Sequence, residues 1–294
     1  MESAPVPRVS VLVPLYNEAA VFPAVFERLQ RELAGWPWPA ELIVVDDGSD
    51  DGGSYQSAHP WVRVLRHPVN LGNGAAVKTG IRAARGEYCV VIDADGQHDG
   101  AQIPRLVALL ADYPLAVGAR DFRAGLSARN LANRFFCRFA SYMTGFPIAD
   151  LTCGFRAFRR EEVLDVLHLF PNRFSCPTTM TMAMIRMGYP VAFAPIESAP
   201  RPGQGTSKIR PMRDGLRFLI IILKVSTLFA PMRVFFPLAL FLGLFGFVNY
   251  VLVLTYEHRF SLWSLVLFMS AITIFMIGLL AEGVSFLNLR RERR

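Results

Sequence analysis

Two long apolar runs near the C-terminus constrain this chain most. Residues 234–256 are uncharged and mostly apolar, and residues 260–281 form a second such run after Glu257-His258-Arg259. At the rise of an α-helix, each run can cross a hydrocarbon core of about 30 Å. Buried core helices rarely stay uncharged over such a length. The runs therefore predict a transmembrane hairpin, and Glu282 lies where it can reach the membrane interface.

Basic residues flank the hairpin on both sides. They are Arg201, Lys208, Arg210, Arg213, Arg217, Lys224 and Arg233 before it, and Arg290, Arg291, Arg293 and Arg294 after it. Because lysine and arginine concentrate on the cytoplasmic side, both flanks are expected there, in a bacterial or archaeal inner membrane. No secretory leader is evident at the N-terminus. The net charge of +7 then favours anionic lipid head groups over nucleic acid as partner.

The first 120 residues alternate between short β-rich runs and helical patterns. The predicted strands are residues 9–15, 41–46, 61–66, 87–93 and 115–119, and residues 18–35 form a predicted helix. This alternation predicts an α/β domain with a largely parallel sheet and helices on both faces. Residues 127–143 and 211–230 have amphipathic patterns, which predict helices at the membrane interface or, alternatively, packed on a core.

Carboxylates follow two of the predicted strands. Asp93 ends the fourth predicted strand, and Asp95 and Gln97 come directly after it, at the end where open α/β sheets bind ligands. Their oxygen atoms suit Mg²⁺ or Mn²⁺ held partly by substrate phosphates, whereas an isolated pair of aspartates often only closes a turn. Asp46 ends the second predicted strand and Asp47 follows it; both are candidates to bind a ribose or base.

A glycine-rich stretch at residues 71–78 ends in Lys78, a candidate phosphate ligand. It nearly matches a dinucleotide-binding pattern, but Val77 replaces the third glycine and the stretch follows the third strand. A Rossmann oxidoreductase is therefore the weaker alternative.

Four motifs in this order resemble the inverting family-2 glycosyltransferases. They are Pro14-Leu15-Tyr16-Asn17-Glu18, Asp46-Asp47-Gly48-Ser49, Asp93-Ala94-Asp95-Gly96-Gln97-His98 and Arg201-Pro202-Gly203-Gln204-Gly205-Thr206-Ser207-Lys208. Within that family, residues 8–232 are most similar to the dolichol-phosphate mannose synthases and their bacterial polyprenyl-phosphate relatives. The C-terminal hairpin agrees with that branch.

This resemblance implies the GT-A fold of nucleotide-diphospho-sugar transferases and assigns roles to individual residues. Pro14, Tyr16, Glu18 and Asp46 or Asp47 would surround the nucleoside, and Asp93, Asp95 and Gln97 would gather metal and diphosphate. Arg120 and Arg129 match positions that hold the lipid phosphate. Asn133 matches a third such position, where a relative in the family has serine.

The resemblance also implies an acceptor-side segment and a mobile loop. Asp150 stands at the position suspected of being a base. A polyprenyl phosphate is already anionic at neutral pH, so orienting arginines or sugar hydroxyls is the alternative role. The loop from Arg201 to Lys208 is similar to the family's clamp over the diphosphate; a basic linker is the other interpretation.

The expected protein is thus a membrane enzyme that moves a hexose from a GDP- or UDP-sugar to dolichyl or undecaprenyl phosphate. Its expected parts are a catalytic domain at 1–205, an interfacial helix at 206–232, the hairpin at 233–289 and a basic tail at 290–294. Alternatives are another lipid or glycan acceptor and a non-catalytic nucleotide-sugar-binding scaffold. A processive polysaccharide synthase is a further alternative, but the sequence contains no Gln-x-x-Arg-Trp motif. Self-association is left open.

Overall fold

The computed structural model describes residues 6–53, 55–120, 128–173, 175–197, 199 and 211–292. Within these, the side chains of residues 128, 129, 211–215, 217, 286 and 288–292 are outside the description. The chain divides into two compact units. The first comprises Met1–Ser141 and Phe146–Phe218, and the second comprises Tyr142–Gly145 and Leu219–Arg294.

The first unit is built on a mixed sheet. Its strands in the described residues are β1 (Val9–Leu15), β2 (Ala40–Asp46), β3 (Val62–Arg66), β4 (Tyr88–Val91), β5 (Leu115–Ala119), β6 (Arg156–Arg159) and β7 (Val191–Pro195). Their order across the sheet is β3-β2-β1-β4-β6-β5-β7. All neighbouring pairs are parallel except those of β6, which runs antiparallel to β4 and β5. The sheet is therefore parallel over one half and mixed over the other.

Helices cover the sheet because their apolar residues recur at helical spacing. They are α1 (Phe22–Ala34), α2 (Asn73–Ala83), α3 (Ile103–Ala108), α4 (Ala128–Thr144), α5 (Arg160–Val166) and α6 (Cys176–Arg186). In α1, the buried side chains are Phe22, Val25, Phe26, Leu29 and Leu33, which lie on one face. Strand β1 is buried along its whole length. This burial is typical of a strand with helices on both faces of its sheet.

Because β6 is antiparallel to its neighbours, the residues before it lie at the ligand-binding edge of the sheet. In the register of the sheet, Arg156 at the start of β6 lies opposite Val91 near the end of β4 and opposite Val117 in β5. The residues just before β6 therefore arrive at the edge where β4 and β5 end. This brings the segment 150–155 to the side chains that follow those two strands.

The second unit contains the C-terminal part of α7 (Pro211–Phe229) together with α8 (Met232–Glu257) and α9 (Leu262–Glu292). In the described residues, two segments are long and apolar enough to cross a membrane, Met232–Glu257 and Leu262–Ser285. Only 11% and 17% of their most apolar windows are buried within the protein. Helices of a soluble core would be mostly buried, so these two indicate membrane association.

Small and polar residues join α8 to α9. Gly278 and Gly246 leave no room for side chains, since a Cβ would lie 2.8 Å from the Phe235 Cβ and 3.0 Å from the Leu267 Cβ, respectively. Close backbone approach at glycine is typical of membrane helix pairs. The Glu282 carboxylate accepts a hydrogen bond from the Met232 amide at 3.2 Å. This glutamate therefore caps the start of α8, where a negative charge is favourable.

Candidate active site

The carboxyl ends of β1, β2, β4 and β5 share one edge of the sheet, and the candidate site residues follow them. The order of β1 and β4 places the two motifs beginning at Pro14 and Asp93 on adjacent strands, at the point where the sequence order of strands reverses. Crevices at such points bind ligands in open α/β sheets. The structure thus brings three of the four motifs, those beginning at Pro14, Asp46 and Asp93, to one edge of the sheet.

Asp93 and Asp95 lie close enough for their charges to interact. Burial raises the pKa of Asp93 to about 6, with a further contribution from the negative charge of Asp95. The positive charges of Arg156 and Arg120 act in the opposite direction. The Asp95 carboxylate also accepts a hydrogen bond from the Gln97 amide at 3.1 Å, which closes the turn. Two carboxylates at this edge would be stabilised by a bound cation.

The described residues suit a cation that takes part of its coordination from a substrate. They contain no group of three or more His, Cys, Asp or Glu side chains that could hold a metal ion alone. Asp93 and Asp95 offer hard oxygen ligands, and Gln97 adds an amide oxygen. Mg²⁺ commonly binds through one or two carboxylates together with substrate phosphates, and this donor set fits that pattern.

Gly154 packs directly against Asp93, a contact that the sequence did not reveal. A Cβ at residue 154 would lie 2.3 Å from Asp93 Oδ2 and 2.8 Å from Oδ1. No side chain fits at that distance, so the Gly154 backbone lies directly against the Asp93 carboxylate. The segment before β6 therefore helps to fix Asp93.

Arg120 and the buried Asp150 form an ion pair near enough to Asp93 for the Arg120 charge to act on its carboxylate. The Asp150 carboxylate accepts from Arg120 Nε at 2.8 Å and from Nη2 at 3.2 Å, and Nη2 also donates to Thr152 Oγ1 at 2.7 Å. Burial alone would lower the pKa of Arg120, but hydrogen bonding and charge from Asp150 raise it. The guanidinium is thus held charged and in a fixed orientation.

Both oxygen atoms of the Asp150 carboxylate accept hydrogen bonds from groups within the protein. The carboxylate is completely buried, and besides Arg120 it accepts hydrogen bonds from the amides of Thr152 at 2.9 Å and Cys153 at 3.1 Å. A general base needs contact with the proton that it removes. This geometry supports the orienting role for Asp150, which is one of the two alternatives from the sequence.

Helix α4, which the sequence predicts to lie on the acceptor side, contacts the same loop. Cys137 on α4 is buried, and a backbone hydrogen bond from Leu151 reaches its thiol. Burial raises the pKa of this thiol to about 11. Asn133 lies one turn earlier on α4 and is half-buried. Arg129 is in the first turn of α4, but its side chain lies outside the described residues.

The two aspartates at the end of β2 already have partners within the protein. Asp46 accepts from the Ser49 amide at 2.9 Å and forms an ion pair with Arg66 at 3.5 Å. Asp47 contacts His67 Nδ1 at 2.7 Å and accepts from the amides of Leu71 and Gly72. Both carboxylates are buried. They shape the loops at this edge, and their contact with a nucleoside stays a prediction.

The residues after β1 flank this pair of carboxylates. Pro14 is buried in the strand, Glu18 is half-buried, and Tyr16 has 44% of its surface exposed. The Asn17 amide donates to Ser49 Oγ at 3.0 Å, which joins this loop to the one after β2. Tyr16 therefore presents an exposed aromatic ring at the sheet edge, where a base can stack.

The glycine-rich stretch packs against protein and not against open space. A Cβ at Gly74 would lie 2.0 Å from the Pro171 carbonyl oxygen, and the Ala75 amide donates to the Asn172 carbonyl at 2.8 Å. The Lys78 ammonium donates to the Phe170 carbonyl at 3.1 Å and to the Asn172 side chain. The stretch therefore does not form the open phosphate-binding loop that the dinucleotide-binding alternative requires. The Lys78 ammonium is already hydrogen-bonded within the protein.

The predicted clamp, including Arg201 and Lys208, lies outside the described residues. Its approach is described: the Ala199 amide donates to the Gln97 carbonyl at 2.9 Å, and Gln102 Nε2 donates to the Glu197 carbonyl at 3.2 Å. The chain therefore enters the predicted clamp beside the Asp93-to-Gln97 motif. A clamp over the diphosphate stays a prediction that this entry point supports.

Other side chains at the site were not predicted. Arg156 is almost completely buried, and its guanidinium donates to the Pro177 carbonyl at 2.8 Å and to the Cys153 carbonyl. It thereby ties the segment before β6 to the start of α6. Ser175, just before α6, lines a cavity beside Asp93. The Gly-Phe-Arg run at residues 154–156 was the sequence signal for Arg156, whereas nothing in the sequence pointed to Ser175.

Comparison with known proteins identifies the family to which this chain belongs. The family model described as glycosyl transferase family 2 matches residues 10–166, more than half of the chain. A second model, the GtrB C-terminal hairpin, matches residues 230–287. The solved structure of glucosyl-3-phosphoglycerate synthase from Mycobacterium tuberculosis, in complex with Mn²⁺, UDP and phosphoglyceric acid, has a TM-score of 0.58 at 20% identity. It covers 75% of this chain and 78% of that one, which confirms the expected GT-A fold.

Two curated relatives share a name. The undecaprenyl-phosphate 4-deoxy-4-formamido-L-arabinose transferase of Yersinia enterocolitica is 30% identical over 57% of this chain and 53% of its own length. Its counterpart in Pseudomonas savastanoi is 28% identical over 84% of this chain and 73% of its own length. The chain thus spans about half the length of the first relative and nearly three quarters of the second.

Proposed function

Because the chain belongs to glycosyl transferase family 2, we propose that it transfers a hexose from a nucleotide-sugar to a polyprenyl phosphate with inversion at the anomeric carbon. The observation that carries this proposal is the ion pair of Arg120 and Asp150 beside Asp93. The fixed positive charge of Arg120 can bind an acceptor phosphate. It lies near carboxylates that suit a divalent cation bound to the donor diphosphate. The names of the curated relatives, which specify undecaprenyl phosphate, support the acceptor class.

The donor binds along the edge formed by β1, β2 and β4 in this proposal. Tyr16 and Glu18 lie beside the nucleoside, with Pro14, Asp46 and Asp47 shaping the edge. Asp93, Asp95 and Gln97 would hold Mg²⁺ or Mn²⁺ together with the diphosphate. When bound, this ion neutralises negative charge on the departing nucleoside diphosphate. A UDP donor is supported by the fold neighbour solved with UDP, and a GDP donor is the alternative.

The acceptor phosphate binds on the Arg120 side, where Arg129 and Asn133 on α4 complete the proposed contacts. A phosphate monoester is anionic at neutral pH, with a second pKa near 6, so it attacks without a base. Asp150 then orients Arg120 rather than removing a proton. The rate gain comes from holding the two substrates in line and from fixed positive charge near the reacting oxygens.

The hairpin supports a membrane-bound acceptor. Apolar side chains of α4 and α7 are exposed, including Leu131, Phe135, Leu216 and Ile220. Such faces are typical of helices that lie in a membrane interface. The basic residues on both sides of the hairpin support a cytoplasmic catalytic domain and binding to anionic lipids. A polyprenyl phosphate would reach the site from this surface.

Replacing Asp95 by asparagine tests the proposal, and Asp99 provides a matched control. Both carboxylates accept a hydrogen bond from the amide two residues later at 3.1 Å, so asparagine preserves each turn. Membranes containing each variant are given radiolabelled donor and polyprenyl phosphate, and label in the organic phase is counted. We expect Asp95→Asn to lose about 100-fold in rate and Asp99→Asn to match the wild type.

The wild-type signal should also disappear on addition of EDTA and return with excess Mn²⁺. Lipid-linked label that persists unchanged in Asp95→Asn would overturn the assigned role of Asp95. Absence of label from the wild type with every GDP- and UDP-hexose would instead favour another acceptor or the non-catalytic scaffold.

A further inference from the structure

A cavity of about 190 Å³ lies beside Asp93 in the first unit. Its walls include Asp93, Thr152, Gly154, Ser175 and Thr178. Asp93 belongs to the proposed diphosphate side, while Thr152 accepts a hydrogen bond from Arg120 on the proposed acceptor side. The sugar of a donor is the group that must lie between its diphosphate and the attacking phosphate. The cavity therefore occupies the place that the reaction requires for the sugar.

Ser175 contributes a polar group to this cavity that the fold leaves unused. Its hydroxyl is buried and has no hydrogen-bond partner within the described part of the chain. The residue as a whole is only 8% exposed. A buried hydroxyl without a partner is unfavourable, so native structures rarely keep one without a reason. A ligand in the cavity would supply the missing partner.

The position of Ser175 makes its free hydroxyl more informative. It is the residue before α6, where serine normally accepts a hydrogen bond from an amide in the first turn. Here it makes no such bond, because its backbone has φ 77° and ψ 32°. The amides of Cys176 and Thr178 precede the first intrahelical bond, from the Thr179 amide to the Ser175 carbonyl. The start of α6 thus keeps hydrogen-bonding groups beside the cavity.

We propose that this cavity is the donor-sugar pocket and that the Ser175 hydroxyl hydrogen-bonds a hydroxyl group of the sugar. Ser175 is then a residue that determines sugar specificity. The inference rests on the proposed sugar transfer, and it adds a residue that neither the motifs nor the family resemblance had assigned. Polar groups that discriminate between substrates do so because they are left unpaired when the matching hydroxyl is absent.

Two substitutions at Ser175 separate its hydroxyl from its backbone. Ser175→Gly removes the hydroxyl and suits the left-handed backbone, so its melting temperature should stay equal or rise. Ser175→Ala removes the hydroxyl but keeps a side chain at positive φ. We expect both variants to lose about tenfold in kcat/KM for the donor, because each lacks the same hydrogen bond. Ser226→Ala is the matched control, since Ser226 is another buried serine whose hydroxyl has no hydrogen-bond partner among the described residues, and it does not line the cavity.

Donors that lack single hydroxyl groups identify the contact. For one deoxy-sugar donor, the wild type should lose about the same factor as Ser175→Ala does with the complete sugar. Ser175→Ala should lose nothing further with that donor. If both Ser175 variants keep wild-type kcat/KM while the wild type transfers sugar, this inference is wrong and the proposed function stands. If the wild type transfers no sugar, the proposed function itself fails.

Discussion

At the scale of single residues, Asp150 shows how burial decides between two chemical roles. A carboxylate near an acceptor is compatible with a base or with an orienting group. The structure gives it bonds from Arg120, Thr152 and Cys153 and no exposure to solvent. Charge-assisted bonds of this kind fix geometry, and removing one partner leaves the other buried without compensation.

Asp150→Asn should therefore lower activity without changing its pH dependence. The amide cannot hold the Arg120 guanidinium as tightly, so we expect kcat/KM for polyprenyl phosphate to fall about 10- to 100-fold. The profile should still decline below about pH 6, where the lipid phosphate gains a proton. Measuring initial rates from pH 5 to 9 for both proteins checks this. A variant whose rate no longer declines at low pH would assign the base role to Asp150.

Gly154 offers a second prediction at this scale. In Gly154→Ala, the new methyl group would meet the Asp93 carboxylate, so the metal-binding geometry should be displaced. We expect the Mn²⁺ concentration needed for half-maximal activity to rise at least about tenfold. Gly80→Ala is the control, because a Cβ there makes only ordinary contact with Leu12 at 3.5 Å. Equal metal dependence in both variants would show that Gly154 does not position Asp93.

The sequence identified Asp93, Asp95, Arg120 and Asp150 because each stands in a short motif at a predicted strand end or loop. Their grouping at one edge follows from a parallel sheet and could be foreseen. Ser175 could not, since its unusual backbone and unpaired hydroxyl depend on packing between distant segments. The partners of Asp47 and Lys78 were also beyond the sequence, because they come from loops far along the chain.

At the scale of elements, the five predicted strands were close to those observed, whereas β7 and the antiparallel β6 were not predicted. Strand β6 gives the clearer reason. Its four residues, Arg156–Arg159, include two arginines and lack a strand-like apolar pattern. Arg159 is satisfied by carbonyl oxygens of Leu110 and Ala111 and so tolerates its place in the sheet. Tertiary hydrogen bonds therefore override the local pattern. The predicted strand at residues 87–93 was also longer than β4, because Asp93 belongs to the turn that follows.

The hairpin gives a prediction for the pair α8 and α9. In Gly278→Ile, the side chain would enter the space held by Phe235, so the two helices should separate and lose stability. Gly283→Ile is the matched control on α9, since a Cβ there has nothing within 4 Å. We expect thermal unfolding in detergent micelles to begin at a lower temperature for the first variant alone. Equal melting of the two variants would contradict close packing at Gly278.

At the scale of the whole molecule, the hairpin should place its turn on the side of the membrane opposite to both termini. A single thiol in the turn, Arg259→Cys, should react with a membrane-impermeant maleimide added outside intact cells. Background should be low because all four native cysteines are buried. Burial also raises the pKa of the thiols of Cys153 and Cys176 to about 12, which disfavours the reactive thiolate. Labelling only after cell lysis would reverse the proposed orientation.

The family, the α/β fold and the apolar hairpin are established at this scale, and the remaining question is which bond the enzyme makes. Glycosyl transfer releases a nucleoside diphosphate and yields a lipid with one phosphate, because the bond broken lies between the anomeric carbon and the diphosphate. Transfer of a phosphosugar would release a nucleoside monophosphate instead. The two reactions leave different products in both the aqueous and the lipid phases.

The most direct measurement is therefore to quantify both products from the purified protein in liposomes that contain polyprenyl phosphate. A panel of GDP- and UDP-hexoses is supplied with Mn²⁺. The nucleotides are separated by chromatography, and the masses of the lipids are determined by mass spectrometry. We expect one nucleoside diphosphate to be released for each lipid that gains one hexose and no additional phosphate. Release of nucleoside monophosphate with a lipid diphosphate-sugar product would rule out the proposed glycosyl transfer.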